Sequence, residues 1–277
     1  MDAARTDLTF VVNLHKEGAL CRASLESAER AVAHARRAGL TAELLLTLDR
    51  ADALTEKAVA TAQCDARILP VDVGDLSLSR NCAVAAAHGR HIGFMDGDDL
   101  CCEEWLARAV AEVGGCTNDC IVHPRINLFF GRNYNNYFWI HPDMRLEEVT
   151  LRRLLVENLW TAPVLARRHM FEKFPYRPNR LSSGYGYEDW VWNLETSAAG
   201  ILHVAAADTI FFIRRNKRGS LMEESVSANV LPDLRSILGG GALASVQLDR
   251  LLGRSGTRDD APVRLASPPL HAARGNP

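Results

Sequence analysis

Long apolar runs, paired cysteines and a surplus of positive charge are all missing from this sequence. No apolar run approaches the roughly 20 residues that a membrane-spanning helix needs. The N-terminal stretch lacks a basic segment followed by a long apolar core, so we expect it to be unprocessed. The formal net charge of -2 gives no broad positive field that would attract nucleic acid. We therefore expect a cytoplasmic protein with no nucleic-acid partner, and peripheral contact with the inner face of a membrane stays open.

The seven cysteines are an odd number and include no C-x-x-C unit. The suggestive spacings are Cys101-Cys102 and Cys116-x-x-x-Cys120, and neither has the second pair of soft ligands that a structural zinc site requires. Reduced, buried or half-buried thiols are therefore the expected state. About half of the 277 residues are hydrophobic (47%) and 24% are charged, which suits one globular domain.

The first half of the chain alternates apolar strands with helix-like stretches. We predict strands over 8–14, 42–49, 66–72 and 91–96, and helices over 20–38, 52–62, 78–88 and 103–113. Continuous apolar strands separated by helices indicate an α/β fold with a mainly parallel central sheet flanked by helices. Ligands of such sheets bind beyond the carboxyl ends of the strands. The polar residues at those ends are Asn13, His15, Glu17, Asp49 and the turn 96–99.

The second half of the chain is less regular. It contains a predicted extended pair, 120–130 and 135–142, and a strand over 209–215. Helices are predicted over 146–156, 186–199 and 231–252, the last interrupted by three glycines. Residues 254–277 are rich in Pro, Arg, Ser and Gly without a period, and we expect a disordered tail there. One domain is therefore expected over 1–253, with a first half at 8–113, a second half at 114–221 and a C-terminal helix at 222–253.

Three carboxylates fall within four residues where the strand "HIGFMD" ends, in Asp96-Gly97-Asp98-Asp99. Asp and Gly are common in turns, so a tight turn is the plain interpretation. An EF-hand calcium loop would spread its ligands over about 12 residues and end in Glu, and this segment does neither. Like charges this close repel unless a cation lies between them. Mg²⁺ or Mn²⁺ takes one or two carboxylates and completes its shell with water and phosphates, so the cluster also predicts a metal site for a nucleoside diphosphate.

The order of four blocks resembles family 2 glycosyltransferases, which have the GT-A fold. These blocks are "FVVNLHKEG", "LLLTLDRAD", "LSLSRNCAVAAAHG" and "HIGFMDGDD", the last with an Asp-x-Asp motif. The resemblance covers about 8–221 and is strongest over 42–106. It implies that 8–113 is the nucleotide-sugar-binding half and 114–221 the acceptor half. Cys82-Ala83 departs from the family, which often has a small glycine just after "RN".

The resemblance also implies roles for individual residues. Asp98 would be the direct ligand of Mg²⁺ or Mn²⁺, and Asp96 would lie near the ribose or the water shell of the metal. Asp49 would face the base, and Asp99 is expected to cap the next helix. The full set of implied nucleotide-sugar contacts is Asn13, His15, Glu17, Asp49, Arg80, Asn81, Asp96, Arg215 and Lys217.

Four basic residues follow one another closely in "FFIRRNKRGSL", from Arg214 to Arg218. A basic run is usually a solvated face. It can also close over a diphosphate as the leaving group gains charge, where cations lower the barrier. The loop is similar to a basic loop of the family that ends in "SL", and we assign the diphosphate contacts to Arg215 and Lys217.

The segment "SSGYGYEDWVWN" places Glu188 and Asp189 in the first turn of a predicted helix. Acidic residues there can simply compensate the helix dipole. They can also supply a general base, which a hydroxyl nucleophile needs at neutral pH. The pair resembles the acceptor-side motif of the family, so we assign the base to Asp189, with Glu188 as support or as the base itself. Trp190 and Trp192 are expected to form a stacking floor for a sugar or to lie in the core.

Taken together with these features, the resemblance implies a metal-dependent, hexosyltransferase-like glycosyltransferase of class EC 2.4. Its donor would be a UDP- or GDP-type sugar and its acceptor a glycan, a lipid-linked glycan or a small molecule, with the inversion that family 2 implies. A sugar-phosphate nucleotidyltransferase is one alternative, but "NLHKEGALCR" lacks the Gly-rich phosphate loop of that class. A non-catalytic nucleotide-sugar-binding module of the same fold is the other, although both Asp98 and Asp189 are present.

Overall fold

The computed structural model of the protein describes residues 6–217 and 220–234. Its strands are β1 (Leu8–Leu14), β2 (Ala42–Asp49), β3 (Ala66–Val71), β4 (His91–Asp96), β5 (Leu100–Cys101), β6 (Cys120–Gly131), β7 (Tyr137–Ile140), β8 (Val164–Arg167), β9 (Tyr185–Gly186), β10 (Leu202–Arg215) and β11 (Leu231–Pro232). Its α-helices are α1 (Cys21–Arg37), α2 (Ala53–Thr61), α3 (Leu76–Ala86), α4 (Trp105–Gly115), α5 (Leu151–Leu154), α6 (Arg168–Lys173), α7 (Glu188–Ala198) and α8 (Leu221–Ser227).

The described strands form one large sheet and one small pair. The large sheet has the order β3-β2-β1-β4-β8-β6-β10-β5, with β7 paired to β6, and the small pair is β9 with β11. Strands β1 to β4 pair in parallel, as do β6 and β10, whereas the short strands β5, β7 and β8 pair antiparallel. The predicted α/β fold, with a mostly parallel central sheet flanked by helices, is therefore confirmed.

The position of each element follows from its apolar pattern. Every residue of β1 is buried, as expected for a central strand covered on both faces. Helix α1 buries Cys21, Leu25, Ala28 and Val32, whose spacing of three or four residues places them on one face against the sheet. The side chain of Asp75 caps α3 by accepting a hydrogen bond from the backbone N–H of Leu78.

Several elements of the second half differ from the sequence predictions. The helix expected over 146–156 is reduced to α5, and β8, α6, β9 and α8 were not predicted, nor was β5 in the first half. The helix expected over 231–252 is wrong at its start, because residues 231–232 form β11, which pairs with β9. The remainder of that helix and the tail at 254–277 lie outside the described residues. Strand β8 has only four residues, too few to carry a clear periodic signal.

All seven cysteines are free thiols; Cys21, Cys101 and Cys120 are buried and the others are half-buried. Helices long and apolar enough to cross a membrane are not found in the described part of the chain.

Three histidines that are distant in sequence meet in the core beneath α7. His123 and His203 are joined through their Nε2 and Nδ1 atoms at 2.9 Å, and the rings of His123 and His141 pack edge to face. All three side chains have no exposed surface. Burial lowers the pKa of His141 to about 3 and that of His203 to about 3, and it also lowers the pKa of His123. These imidazoles are therefore neutral in the folded protein at neutral pH.

The buried histidines should make the protein sensitive to acid. Below the unfolded-state pKa of 6.5 the unfolded chain binds a proton at His203 that the folded chain does not, so folding stability falls as pH falls. His203→Gln removes this contribution, whereas the pH dependence of the groups that His203 does not contact stays in both proteins. We expect the stability difference between wild type and variant to shrink by about 2 kcal/mol between about pH 7.5 and about pH 5. Urea unfolding at both pH values measures it, and a difference independent of pH would contradict the prediction.

Candidate active site

A cleft of about 1100 Å³ opens at the carboxyl edge of the sheet. Its wall is built from the ends of β1, β2 and β4, the loop before α3, the end of β10 and helix α8. This edge is where an open α/β sheet binds its ligands. The predicted site residues that line the cleft are Asn13, His15, Glu17, Asp49, Asp96, Asp98, Arg215 and Lys217.

The strand ends place polar side chains side by side on the floor of the cleft. Asn13 on β1 is in register with Thr47 on β2 and with Asp96 on β4. The Oγ1 of Thr47 donates to the Oδ1 of Asn13 at 2.9 Å, which fixes the amide. The carboxylate of Asp49 accepts hydrogen bonds from three successive backbone N–H groups, those of residues 73–75. Asp49 therefore shapes the loop that forms one end of the cleft, in addition to lining it.

The turn after β4 is tightly built. A Cβ at Gly97 would lie 2.7 Å from the backbone oxygen of Asn13, so only glycine fits there. The Oδ1 of Asp99 accepts a hydrogen bond from the backbone N–H of Arg214 on β10 at 2.8 Å. Our expectation that Asp99 caps the next helix is therefore wrong, because its carboxylate ties the turn to β10 instead. The reason is the short strand β5, which separates the turn from α4 and pairs with β10.

Lys217 balances the negative charge of the turn. Its Nζ lies 3.3 Å from the Oδ2 of Asp98 and 3.3 Å from the Oε1 of Glu17. Burial disfavours the charged form of Lys217, but the two carboxylates outweigh it and its pKa is raised. The pKa of Asp98 is raised by its burial, against the effect of the Lys217 ammonium. Arg215 lies nearby with its guanidinium 4.7 Å from the ring centre of Phe129, whereas Arg218 lies outside the described residues.

The donor set of the turn fits a divalent cation that shares its ligands with a substrate. Asp96 and Asp98 bring two carboxylates to the cleft wall, and Mg²⁺ or Mn²⁺ commonly takes one or two carboxylates plus substrate phosphates. No group of three or more His, Cys, Asp or Glu side chains within 6–217 and 220–234 is arranged to hold a metal. A cation held by Asp96 and Asp98 would complete its shell with water or with the phosphates of a substrate.

Behind the cleft floor, a buried arginine joins the two halves of the chain. Arg80 on α3 donates from Nη2 to the Oδ1 of Asp96 and from Nη1 to the Oε1 of Glu188, both at 2.9 Å. Its side chain is 1% exposed, and its guanidinium stacks over the ring of Tyr176 at 5.1 Å. Burial opposes the charged form, but Asp96 and Glu188 outweigh it and raise the pKa of Arg80. The ion pairs hold the start of α7 beside the end of β4.

The two acidic residues at the start of α7 therefore have different environments. Glu188 is neutralised by Arg80, whereas Asp189 forms no ion pair within the described residues. The carboxylate of Asp189 accepts hydrogen bonds from the Nδ2 of Asn158 at 3.2 Å and from the backbone N–H of Trp190 at 2.8 Å. Burial and the neighbouring Glu188 raise the pKa of Asp189 to about 7, although Arg80 acts in the opposite direction. A carboxylate with such a pKa can accept a proton near neutral pH.

Not every predicted site residue reaches the cleft. Arg80 and Glu188 are buried and do not line it, Asp189 is half-buried and is not among its lining residues, and Asn81 uses both of its amide atoms on the backbone of Tyr176. Trp192 is 2% exposed and donates from Nε1 to the backbone oxygen of Phe174, so it belongs to the core and not to a sugar-binding floor. The Nε1 of Trp190 similarly donates to the backbone oxygen of Leu154.

Ser79 and Asn179 are among the polar residues of the cleft that sequence reasoning missed. Each has a buried polar atom with no hydrogen-bond partner among the described residues, the Oγ of Ser79 and the Oδ1 of Asn179. The Nδ2 of Asn13 is a third such atom. Because buried polar atoms normally find a partner, the lining of the cleft has hydrogen-bonding capacity that the described residues do not use. Ser79 could have been found from its position directly before the "RN" pair, whereas no motif in the sequence marks Asn179.

The fold and the site geometry agree with the comparison of the chain to known families. The model of the family described as "Glycosyl transferase family 2" matches residues 11–174, which is more than half of the chain. The protein therefore belongs to glycosyl transferase family 2. Glycosyl transferase family 2 is a different class of protein from the sugar-phosphate nucleotidyltransferases that were the alternative. A search of curated proteins gave no match.

Solved structures with the same fold are GT-A glycosyltransferases. S. aureus TarS 1-349 in complex with UDP-GlcNAc has 14% sequence identity and a TM-score of 0.59, over 90% of this chain and 72% of that one. The mannosyltransferase PcManGT from Pyrobaculum calidifontis, in complex with GDP-Man and Mn²⁺, has 15% identity and a TM-score of 0.55, over 92% and 77%. The chain spans 60% of another TarS 1-349 structure and 43% of a longer TarS structure. At these identities the likeness shows the fold.

Proposed function

We propose that the protein is a metal-dependent glycosyltransferase that moves a sugar from a nucleoside-diphosphate sugar to an acceptor hydroxyl, with inversion at the anomeric carbon. One observation carries the proposal: Asn13, Asp49, Asp96, Asp98 and Lys217 come together in one cleft at the carboxyl edge of a family 2 fold. The structural neighbours bound to UDP-GlcNAc and GDP-Man support a donor of the UDP or GDP type.

The chemistry follows from the charges around the cleft. Asp189 takes the proton of the acceptor hydroxyl as its oxygen forms a bond to the anomeric carbon. The bond between that carbon and the diphosphate oxygen breaks, and the electron pair stays on the leaving diphosphate. Lys217 and Arg215 line the cleft and offset the charge that develops on this group. Inversion follows because the acceptor attacks from the face opposite the departing group.

Asp98 and Asp96 would hold a divalent cation in this enzyme. Bound there, Mg²⁺ or Mn²⁺ would act as a Lewis acid on the diphosphate oxygens. The presence of Mn²⁺ in the complex of the Pyrobaculum calidifontis enzyme supports this choice of cation. Because Lys217 already neutralises part of the charge on Asp98, we propose that a metal binds tightly only together with the nucleotide.

The acceptor is the less defined substrate. We propose a glycan, a lipid-linked glycan or a small molecule with a free hydroxyl, and a cytoplasmic location in which peripheral contact with the inner face of a membrane is one route to a lipid-linked acceptor.

Thermal unfolding with nucleoside diphosphates tests the donor site first. A nucleotide at about 100 times its dissociation constant adds about 2.7 kcal/mol to the unfolding free energy, which corresponds to roughly 5–10 °C in Tm. We expect such a shift with UDP or GDP in the presence of Mn²⁺, a smaller one without it, and none with Asp98→Ala. Asp65→Ala, at an exposed carboxylate between α2 and β3, is the matched control.

The outcomes separate the proposal from its rivals. A nucleotide shift that is lost only in Asp98→Ala supports donor binding through the acidic turn. If no nucleotide shifts Tm while both variants fold, Asp96–Asp99 is only a turn and the proposed function fails. A nucleotide shift without release of nucleoside diphosphate from any donor sugar would favour the non-catalytic binding module.

A further inference from the structure

Asn158 contacts the carboxylate that the proposed function uses as its base. It lies in the loop between α5 and β8, and its Nδ2 is 3.2 Å from the Oδ2 of Asp189. On its other side the Oδ1 of Asn158 is 3.0 Å from the Nδ2 of Asn193, which lies one turn after Asp189 on α7. The loop and the helix are thus connected by a chain of side-chain hydrogen bonds that ends on Asp189.

The direction of this chain is fixed by a backbone carbonyl. The Nδ2 of Asn193 also donates to the backbone oxygen of Trp160 at 3.1 Å, and a carbonyl oxygen can only accept. Asn193 must therefore present its NH₂ group, and Asn158 must present its oxygen to Asn193. The NH₂ group of Asn158 is then left facing Asp189. An NH₂ group can only donate, so this contact favours the ionised form of the carboxylate.

The far end of the chain is rigid. Trp160 has no exposed surface, and its Nε1 donates to the backbone oxygen of Pro142 at 3.0 Å. Its ring stacks on His203 with 4.2 Å between ring centres. Asn193 is 2% exposed. The NH₂ group of Asn158 that contacts Asp189 is therefore held in place by residues of the core, although Asn158 itself is only half-buried.

We propose that Asn158 is a positioning residue for the reaction, which orients the Asp189 carboxylate toward the acceptor and holds it in the form that accepts a proton. The role as a base rests on the proposed function, whereas the hydrogen bond and its effect on the carboxylate do not. The other groups that face Asp189 are Glu188 on its own helix, Arg80 on α3, Asp96 at the end of β4 and Tyr176 after α6. All four remain in the variants below.

Carboxyl NMR titration of the full-length protein tests the proposal without any substrate. The signal of Asp189 is identified by its loss in Asp189→Asn, and in the wild type it should titrate near pH 7. In Asn158→Ala we expect the midpoint to rise by about one pH unit, because the carboxylate loses a charge-assisted hydrogen bond. Asn158→Asp keeps the size and the bond from Asn193 but places a second carboxylate against Asp189, so its shift should be larger. Glu157→Gln, an exposed neighbour, is the control.

Turnover gives the second readout. Turnover is measured as release of nucleoside diphosphate, with UDP-GlcNAc and GDP-mannose as probes. In Asn158→Ala the acid limb of its pH profile should move to higher pH by the same amount as the Asp189 midpoint. The rate should then be about tenfold lower than in the wild type below the midpoint and equal to it above. An Asp189 midpoint in Asn158→Ala equal to that of the wild type would overturn the inference, and this variant decides even if Asn158→Asp does not fold. Absence of turnover in the wild type with an intact shift would remove the proposed function but leave the positioning of Asp189 standing.

Discussion

Asp189→Asn is expected to reduce turnover about 10³-fold while UDP or GDP still binds and Tm changes little. A positioned general base contributes about 10²–10⁴ to a rate, and an amide cannot take the proton of the acceptor. The substitution keeps the size of the side chain, and its oxygen can still accept from Asn158 or from the backbone N–H of Trp190. The loss should therefore appear in kcat and not in the stability of the fold or in donor affinity.

Glu188→Gln is the matched control for this prediction. Glu188 is paired with Arg80 at 2.9 Å, so Glu188→Gln should lower the free energy of unfolding. Its turnover should fall far less than that of Asp189→Asn. Steady-state release of nucleoside diphosphate, measured with a donor that stabilises the wild type, compares the two variants. If Asp189→Asn retains turnover and Glu188→Gln abolishes it in a folded protein, the base is Glu188 and the assignment to Asp189 is wrong.

The first half of the fold was predictable from sequence because its elements are regular and follow one another in space. Strands 8–14, 42–49 and 91–96 have the bounds that their apolar runs predicted. The parallel alternation of strands and helices then fixes which ends carry the ligand. The cluster of Asn13, Asp49 and Asp96 at one edge follows from that topology alone.

The second half was less predictable because its elements depend on distant partners. Strand β8 has four residues and is stabilised by pairing with both β4 and β6, which no local pattern shows. The sheet order likewise brings the buried side chains of His123, His141 and His203 into contact, because β6 and β10 are adjacent only in the folded protein. Tertiary contacts thus decide what local sequence leaves open.

The site shows the same division between local motif and tertiary contact. The acidic turn and the Glu188-Asp189 pair were visible as motifs, but their separate environments were not. Arg80 contacts Glu188 across 108 positions of sequence, and Asn158 reaches Asp189 from another loop. These contacts divide the pair into one structural carboxylate and one with a raised pKa. Sequence spacing alone left the choice between Glu188 and Asp189 open.

Arg80→Met should lower the free energy of unfolding by about 3–5 kcal/mol, or roughly 10 °C in Tm. The methionine fills most of the volume but leaves Glu188, whose side chain is 7% exposed, without a counter-charge. Such an unpaired buried charge is far more costly than a lost surface ion pair. Arg108→Met is the matched control, because its pair with Asp208 is exposed and should be worth at most about 1 kcal/mol.

The double variant Arg80→Met with Glu188→Gln separates the orphaned charge from lost packing. If the unpaired carboxylate causes the loss, the double variant should recover a large part of the stability, since a neutral amide costs less to bury than a charge. If Arg80→Met costs no more than Arg108→Met, the pair does not hold α7 to β4. Because Arg80 also opposes the rise in the pKa of Asp189, Arg80→Met should raise that pKa further. Arg80 would then affect two properties at once: the stability of the contact between α7 and β4, and the pKa of the proposed base, Asp189.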